Sequence, residues 1–181
     1  FLTKGEQFVL PPDKGGVPDK VLYEQMPLYP KVNYIFKNNK DLTFTNKTAA
    51  WGFNVRSYSN GSTYADLDND GDLDLVVNNI NEKSFLYRNN ASGGLNNHFL
   101  SVALKGKGLN TRGTGARVTI YCGDQKQIAE QFATRGFLSA TSDVLHFGLG
   151  QATTIDSIRV RWPDLSEEIK RNVPVDQIIT L

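Results

Sequence analysis

Five aspartates at alternate positions, Asp66, Asp68, Asp70, Asp72 and Asp74, with Gly71 between the third and the fourth, constrain this chain more than any other feature. Carboxylates crowded into nine residues repel one another, and a hard cation relieves that repulsion. Calcium takes six to eight oxygens, and alternate side chains of a tightly turning loop can aim at one point while a glycine makes the reversal. The spacing assigns Asp66, Asp68, Asp70 and Asp74 as side-chain ligands of Ca2+, and Asp72 as a donor through its main-chain carbonyl. Magnesium suits the pattern less, because it keeps its waters and demands a strict octahedron. Alternation with Leu67, Leu73 and Leu75, read as buried, separates this window from a merely solvated acidic turn. An EF-hand is excluded because its twelfth position is Val77 instead of an acid. The flanks Thr63-Tyr64-Ala65 and Leu73 to Val77 also read as strands, where an EF-hand needs helices.

Outside that window the charge turns basic, with 14 acids against 20 bases, although the whole chain carries only +1. Neither a nucleic-acid partner nor a membrane surface is indicated by that balance. At 181 residues and 39% apolar composition the chain can bury a real core. A single cysteine, Cys122, closes no intramolecular disulfide, and two distant histidines, His98 and His146, make no zinc set. No apolar run is long enough for a membrane span. The sequence opens at Phe1 with neither Met nor a targeting pattern, which reads as upstream sequence having been removed.

Residues 1–30 carry five of the seven prolines and no sustained period, and read as an extended Pro/Gly-rich arm. Beyond them, short runs of aromatic and β-branched residues alternate with Gly, Asn and Asp, so the fold class is all-β. One internal repeat is present: Tyr34-Ile35-Phe36-Lys37-Asn38-Asn39 returns as Phe85-Leu86-Tyr87-Arg88-Asn89-Asn90, 51 residues later. Such a period suits propeller blades or other sheet arrays. Carried back by the same offset, the acidic window falls on Gly15, Val17, Asp19, Val21 and Tyr23, so one copy alone keeps its acids. A repeat and a half closes no propeller, and the repeat region, 31–94, must lean on the remainder. In 95–181, seven candidate strands at about ten-residue spacing predict an antiparallel β-sandwich or barrel. The expected architecture is therefore a small blade-like antiparallel sheet with a calcium loop, packed on a seven-strand sandwich or barrel.

The run Gly61 to Ala65, the aspartate loop, Leu75-Val76-Val77-Asn78-Asn79 and Leu86-Tyr87-Arg88-Asn89 together resemble an FG-GAP or VCBS repeat. The resemblance implies a calcium-binding blade of the kind found in integrin-like propellers and bacterial surface proteins. Further on, Asn97-His98-Phe99-Leu100, Asn110 with Gly113 to Val118, Arg135-Gly136-Phe137-Leu138-Ser139, His146 to Gly150 and Val160-Arg161-Trp162-Pro163 stand in the order of an ASPIC/UnbV domain. That domain follows VCBS repeats in bacterial secreted proteins and in cartilage acidic protein. This chain departs from its pattern at Leu165, where a glycine usually closes the turn after Trp-Pro.

Read by their own chemistry, these motifs are structural before they are catalytic. Gly113-Thr114-Gly115 lacks the third glycine of a dinucleotide loop and runs into a strand, not a helix. His146, between Leu145 and Phe147, reads as a hydrogen-bonded core histidine, and Cys122 as a small buried apolar residue. Arg117 and Arg135 read as internal pairing residues, with ligand contact as the alternative. No acid partner for His98 or Ser139 is identified by spacing, and no catalytic residue is assigned. The function expected is a non-catalytic, calcium-stabilised module for adhesion or ligand binding, in an extracellular, cell-surface or periplasmic setting implied by the resemblance. Its partner would be an extracellular protein or a glycan. Two alternatives stand beside it: a carbohydrate-binding module using Trp51, Tyr58 or Tyr64, and a fragment of a polysaccharide-acting hydrolase.

Overall fold

The computed structural model describes residues 29–91, 97–136 and 139–181. Nearly all of the proline-rich segment, and all five positions of the earlier repeat copy, lie outside the described residues. The described chain is all-β and contains no helix.

Two sheets form the C-terminal half. The first runs β10 (Gln125–Glu130), β9 (Arg117–Cys122), β12 (Thr154–Arg161), β13 (Glu167–Pro174); the second runs β11 (Val144–Gly150), β8 (His98–Ala103), β14 (Gln177–Thr180). Their facing sides bury Leu100, Val102, Val118, Ile120, Phe147, Ile158 and Val160, all at 3% exposure or less. Period-two alternation generates this core directly: in β11, Leu145, Phe147 and Leu149 point inward while Gly148 and Gly150 face out. Each fully buried aliphatic side chain contributes about 1.5–3 kcal/mol relative to leaving it in water.

The seven strands make an open two-sheet sandwich, and no sheet closes into a barrel. One pairing departs from the antiparallel expectation, since β14 runs parallel to β8, with Gln177 opposite Leu100 and Thr180 opposite Ala103. The cause is the corner at Asp176, a left-handed residue (φ 58°) that carries the chain from one sheet to the other. Asp176 donates its N–H to the Phe99 carbonyl (2.7 Å), accepts the Phe99 N–H (3.2 Å), and sets Oδ2 2.7 Å from His98 Nδ1. That clamp starts β14 beside the beginning of β8, so the two strands must run in the same sense.

The turn between β12 and β13 accounts for the Leu165 departure. Leu165 N–H donates to the Trp162 carbonyl (2.9 Å), and Leu165 itself sits in the left-handed region at φ 68° with its side chain in solvent. The backbone keeps the conformation a glycine would adopt, at the steric cost a Cβ imposes there. Leu165→Gly is expected to raise stability by about 0.5–1 kcal/mol, the relief of strain being partly offset by glycine's chain entropy. A higher urea midpoint at unchanged slope checks this; an unchanged or lower midpoint refutes it.

The N-terminal half is built from smaller pieces. β1 (Lys31–Val32) pairs with β4 (Arg56–Ser57), β2 (Phe36–Asn38) with β3 (Phe44–Asn46), and β5 (Ser59–Ala65), β6 (Asp74–Asn79) and β7 (Phe85–Tyr87) form a three-stranded antiparallel sheet. Both copies of the sequence repeat thus contain strand, in β2 and β7. Its apolar cover is incomplete: Tyr34, Phe36, Phe44 and Leu86 are each more than half exposed, and a groove of about 720 Å³ opens between Trp51, Phe53, Leu75 and Leu86. The sheet leans on the sandwich. Ser62 N–H donates to Ser139 Oγ (3.2 Å), and Thr63 Oγ1 donates to the Ala140 carbonyl (2.6 Å).

Candidate metal centre

Strand β5 ends at Ala65 and β6 begins at Asp74, directly opposite it, so the acidic window is the hairpin loop between them. Two left-handed residues, Asn69 (φ 60°) and Gly71 (φ 90°), turn the chain. The aspartates themselves hold the loop's shape. Asp66 accepts the N–H groups of Asp70 (3.1 Å) and Gly71 (3.0 Å), and Asp70 Oδ1 accepts that of Asp72 (3.0 Å). Asp74, only 3% exposed, accepts the N–H of Leu67 (3.2 Å) on one oxygen and that of Asn89 (2.8 Å) on the other.

Of the five aspartates assigned from spacing, Asp66, Asp68 and Asp70 bring carboxylate oxygens to within 4.8 Å of one another, the one such convergence among the described residues. Asp74 lies at the base of the loop outside this trio, accepting a main-chain N–H on each oxygen as Asp66 does, and Asp72 stands half-buried beside them. Three converging carboxylates are a hard, anionic, all-oxygen donor set, which fits calcium and offers nothing to a soft metal. One detail of the reading from sequence is corrected. Leu67 is 51% exposed, whereas Leu73 and Leu75 are part-buried, because the side chain of residue 67 follows the loop outward before β6 resumes the alternation.

A residue that spacing did not single out completes the arrangement. Arg88, just past β7, sets Nη2 2.8 Å from Asp68 Oδ2 and 3.2 Å from Asp70 Oδ2. The Asp70 carboxyl is held below its usual range, first by the Asp72 N–H and then by Arg88, against some loss of solvation. The signal was present in the internal repeat, where Arg88 matches Lys37, but a repeat says nothing of which acids a base meets.

The loop is also where the two halves touch. Gly71 is buried, and a Cβ built there would collide with the Phe99 ring on β8. Phe99 in turn stacks on His146 (centroids 5.6 Å apart), whose Nδ1 lies 3.1 Å from Ser101 Oγ. His146 is thus hydrogen-bonded as expected, yet only half-buried. It lines a cleft of about 130 Å³ with Tyr64, Asp66 and Ser101. Burial holds the imidazole below its ordinary pKa, while Asp66 and Asp72 pull it back up.

Elsewhere the singled-out residues find structural partners. Arg117 grips Glu130 across the β9–β10 ladder at 2.6 and 2.9 Å, and Arg135, although exposed, donates to the Glu130 carbonyl (3.0 Å). His98 has the acid partner that spacing could not identify, Asp176, 78 residues away. Gly113 and Gly115 are both left-handed, in a turn that Asn110 brackets by bonding Thr114 N–H (2.8 Å) and carbonyl (2.9 Å). Cys122 is partly buried against the core, and burial pushes its thiol pKa up. Trp51 lines the apolar groove, Tyr64 lines the His146 cleft, and Tyr58 is half-buried.

No helix among the described residues is long and apolar enough to cross a membrane. Comparison with curated proteins returns no match. Family models do match: the FG-GAP-like repeat over residues 16–77 and the ASPIC and UnbV family over residues 106–181. The first match begins inside the proline-rich segment and ends at Val77, within β6 and three residues past the last aspartate of the loop; the second covers most of the sandwich. Along the chain, then, a stretch matching the FG-GAP-like repeat, 16–77, which bears the aspartate loop, is followed by a stretch matching the ASPIC and UnbV family, 106–181.

Proposed function

We propose that this chain is a non-catalytic, calcium-stabilised module of an extracellular, cell-surface or periplasmic protein, serving adhesion or ligand binding. The observation that carries the calcium part is the convergence of Asp66, Asp68 and Asp70 on one point of a two-strand hairpin. Those three side chains would hold the ion, with the Asp72 carbonyl adding a donor and Asp74 bracing the loop from beneath. When bound, calcium supplies charge neutralisation and rigidity. The chain's own residues convert that rigidity into domain contact, since the same loop presents Gly71 to Phe99 of the sandwich. FG-GAP-like repeats and ASPIC/UnbV domains point to the extracellular setting.

The non-catalytic reading draws support from how the serine and histidine side chains are engaged. Ser101 is buried against His146, and His98 is committed to the Asp176 clamp at the corner that starts β14. A carbohydrate-binding reading has one favouring observation, the exposure of Trp51 (48%) and Tyr64 (42%), aromatic side chains of the kind that stack on a sugar ring. A glycan array with a panel of chromogenic glycosides separates the readings: binding without turnover favours the carbohydrate module, and turnover refutes the non-catalytic one.

The test of the calcium reading is thermal unfolding in calcium, magnesium and chelator, on the wild type and on Asp70→Ala. At calcium one hundredfold above Kd, binding stabilises by about 2.7 kcal/mol, or about 5–10 °C in a chain of this size. That rise is expected with calcium, smaller with magnesium, and lost in Asp70→Ala. No shift at millimolar calcium refutes the reading.

A further inference from the structure

We propose that Arg88 is the loop's built-in competitor for calcium: its guanidinium closes the aspartate loop when calcium is scarce and is displaced when the ion binds. The inference rests on the calcium reading above and extends it to a residue outside the acidic window. Arg88 Nη2 reaches both Asp68 Oδ2 (2.8 Å) and Asp70 Oδ2 (3.2 Å), two of the three carboxylates that converge. The third, Asp66, has its oxygens on the N–H groups of Asp70 and Gly71. The guanidinium therefore neutralises Asp68 and Asp70 at the oxygens that the loop's own N–H groups do not reach, since the Asp72 N–H bonds the other oxygen of Asp70.

Its placement is built in. Asn89, the next residue, donates its N–H to Asp74 Oδ1 at 2.8 Å, which ties the end of β7 to the base of the loop and leaves Arg88 poised over its mouth. The Arg88 side chain is 63% exposed, which leaves it room to swing into solvent. A guanidinium stays charged across the physiological range, and a divalent ion seeking the same oxygens repels it. The two cations exclude each other, and the loop passes from a singly to a doubly charged occupant without first splaying open. Arg88 is thereby a positioning residue that sets the calcium threshold.

The experiment uses the full chain with Arg88→Gln and Arg88→Lys. Calcium affinity is read by titration calorimetry and unfolding temperature in chelator. An exposed ion pair with two contacts is worth enough that Arg88→Gln is expected to bind calcium about fivefold more tightly. In chelator it is expected to melt a few degrees lower, the loop having lost the cation that pairs with Asp68 and Asp70. Arg88→Lys, which keeps the charge but loses the planar fork, is expected to lie between. Guanidinium NMR signals of the wild type should move from a hindered to a freely rotating state during the titration. Unchanged or weaker calcium binding by Arg88→Gln overturns the proposal while leaving the calcium site intact. Tighter binding with no loss of stability in chelator overturns it too, reducing Arg88 to a bystander charge. If neither protein binds calcium, the inference falls together with the reading beneath it; binding by Arg88→Gln alone supports it in its strongest form.

Discussion

Replacing Gly71 with alanine is expected to destabilise the protein by about 2–5 kcal/mol, as the sum of left-handed strain and an overpacked contact. The first contribution comes from φ 90°, a conformation that L side chains rarely adopt. The second comes from across the boundary between the halves, since the added methyl would enter the space occupied by the Phe99 ring. These contributions are separable. In a Phe99→Ala background the collision is gone, so Gly71→Ala should then cost only the backbone part, about 1–2 kcal/mol. Denaturant titration of the four proteins gives the coupling directly. Equal penalties in the two backgrounds would show that the loop does not press on β8.

Asp74→Ala is the second large effect, at about 2–5 kcal/mol, because a carboxylate that bonds two main-chain donors contributes about 1.5–3 kcal/mol through each and leaves both unsatisfied when removed. The residue is 3% exposed and joins the loop at Leu67 to the end of β7 at Asn89, so its loss frees both ends of the hairpin at once. Asp74→Asn keeps one acceptor and should cost less. The decisive condition is chelator. A brace that works through N–H groups keeps its full value without metal, whereas a residue acting only as a calcium ligand has none to lose there. A penalty that disappears in chelator would reassign Asp74 from brace to ligand.

The two substitutions show why a pattern of alternate aspartates is informative and incomplete. Alternation, the glycine and the strand-like flanks are properties of fewer than twenty consecutive residues, and they define a two-strand hairpin with an acidic tip. They do not say which carboxylates face each other. That depends on how the loop folds upon itself, with Asp66 and Asp74 drawn into main-chain hydrogen bonds and Leu67 turned out.

The same division runs through the molecule. Strand identity in the C-terminal half was written locally, in β-branched and aromatic residues with period two and in Gly, Asn and Asp between them, so all seven strands were readable from sequence. The two-residue β1 and β4 were not, being too short to show a period. By itself the sequence determined the all-β class, the hairpin loop and its charge, because each follows from the preferences of neighbouring residues. Only the tertiary structure decided the rest: the parallel course of β14, the His98–Asp176 clamp, the seat of Gly71 against Phe99, and Arg88 over the aspartates. Those partners lie 18 to 78 residues apart, and contacts at such separations are chosen by which faces can be buried together, a condition that no local pattern carries.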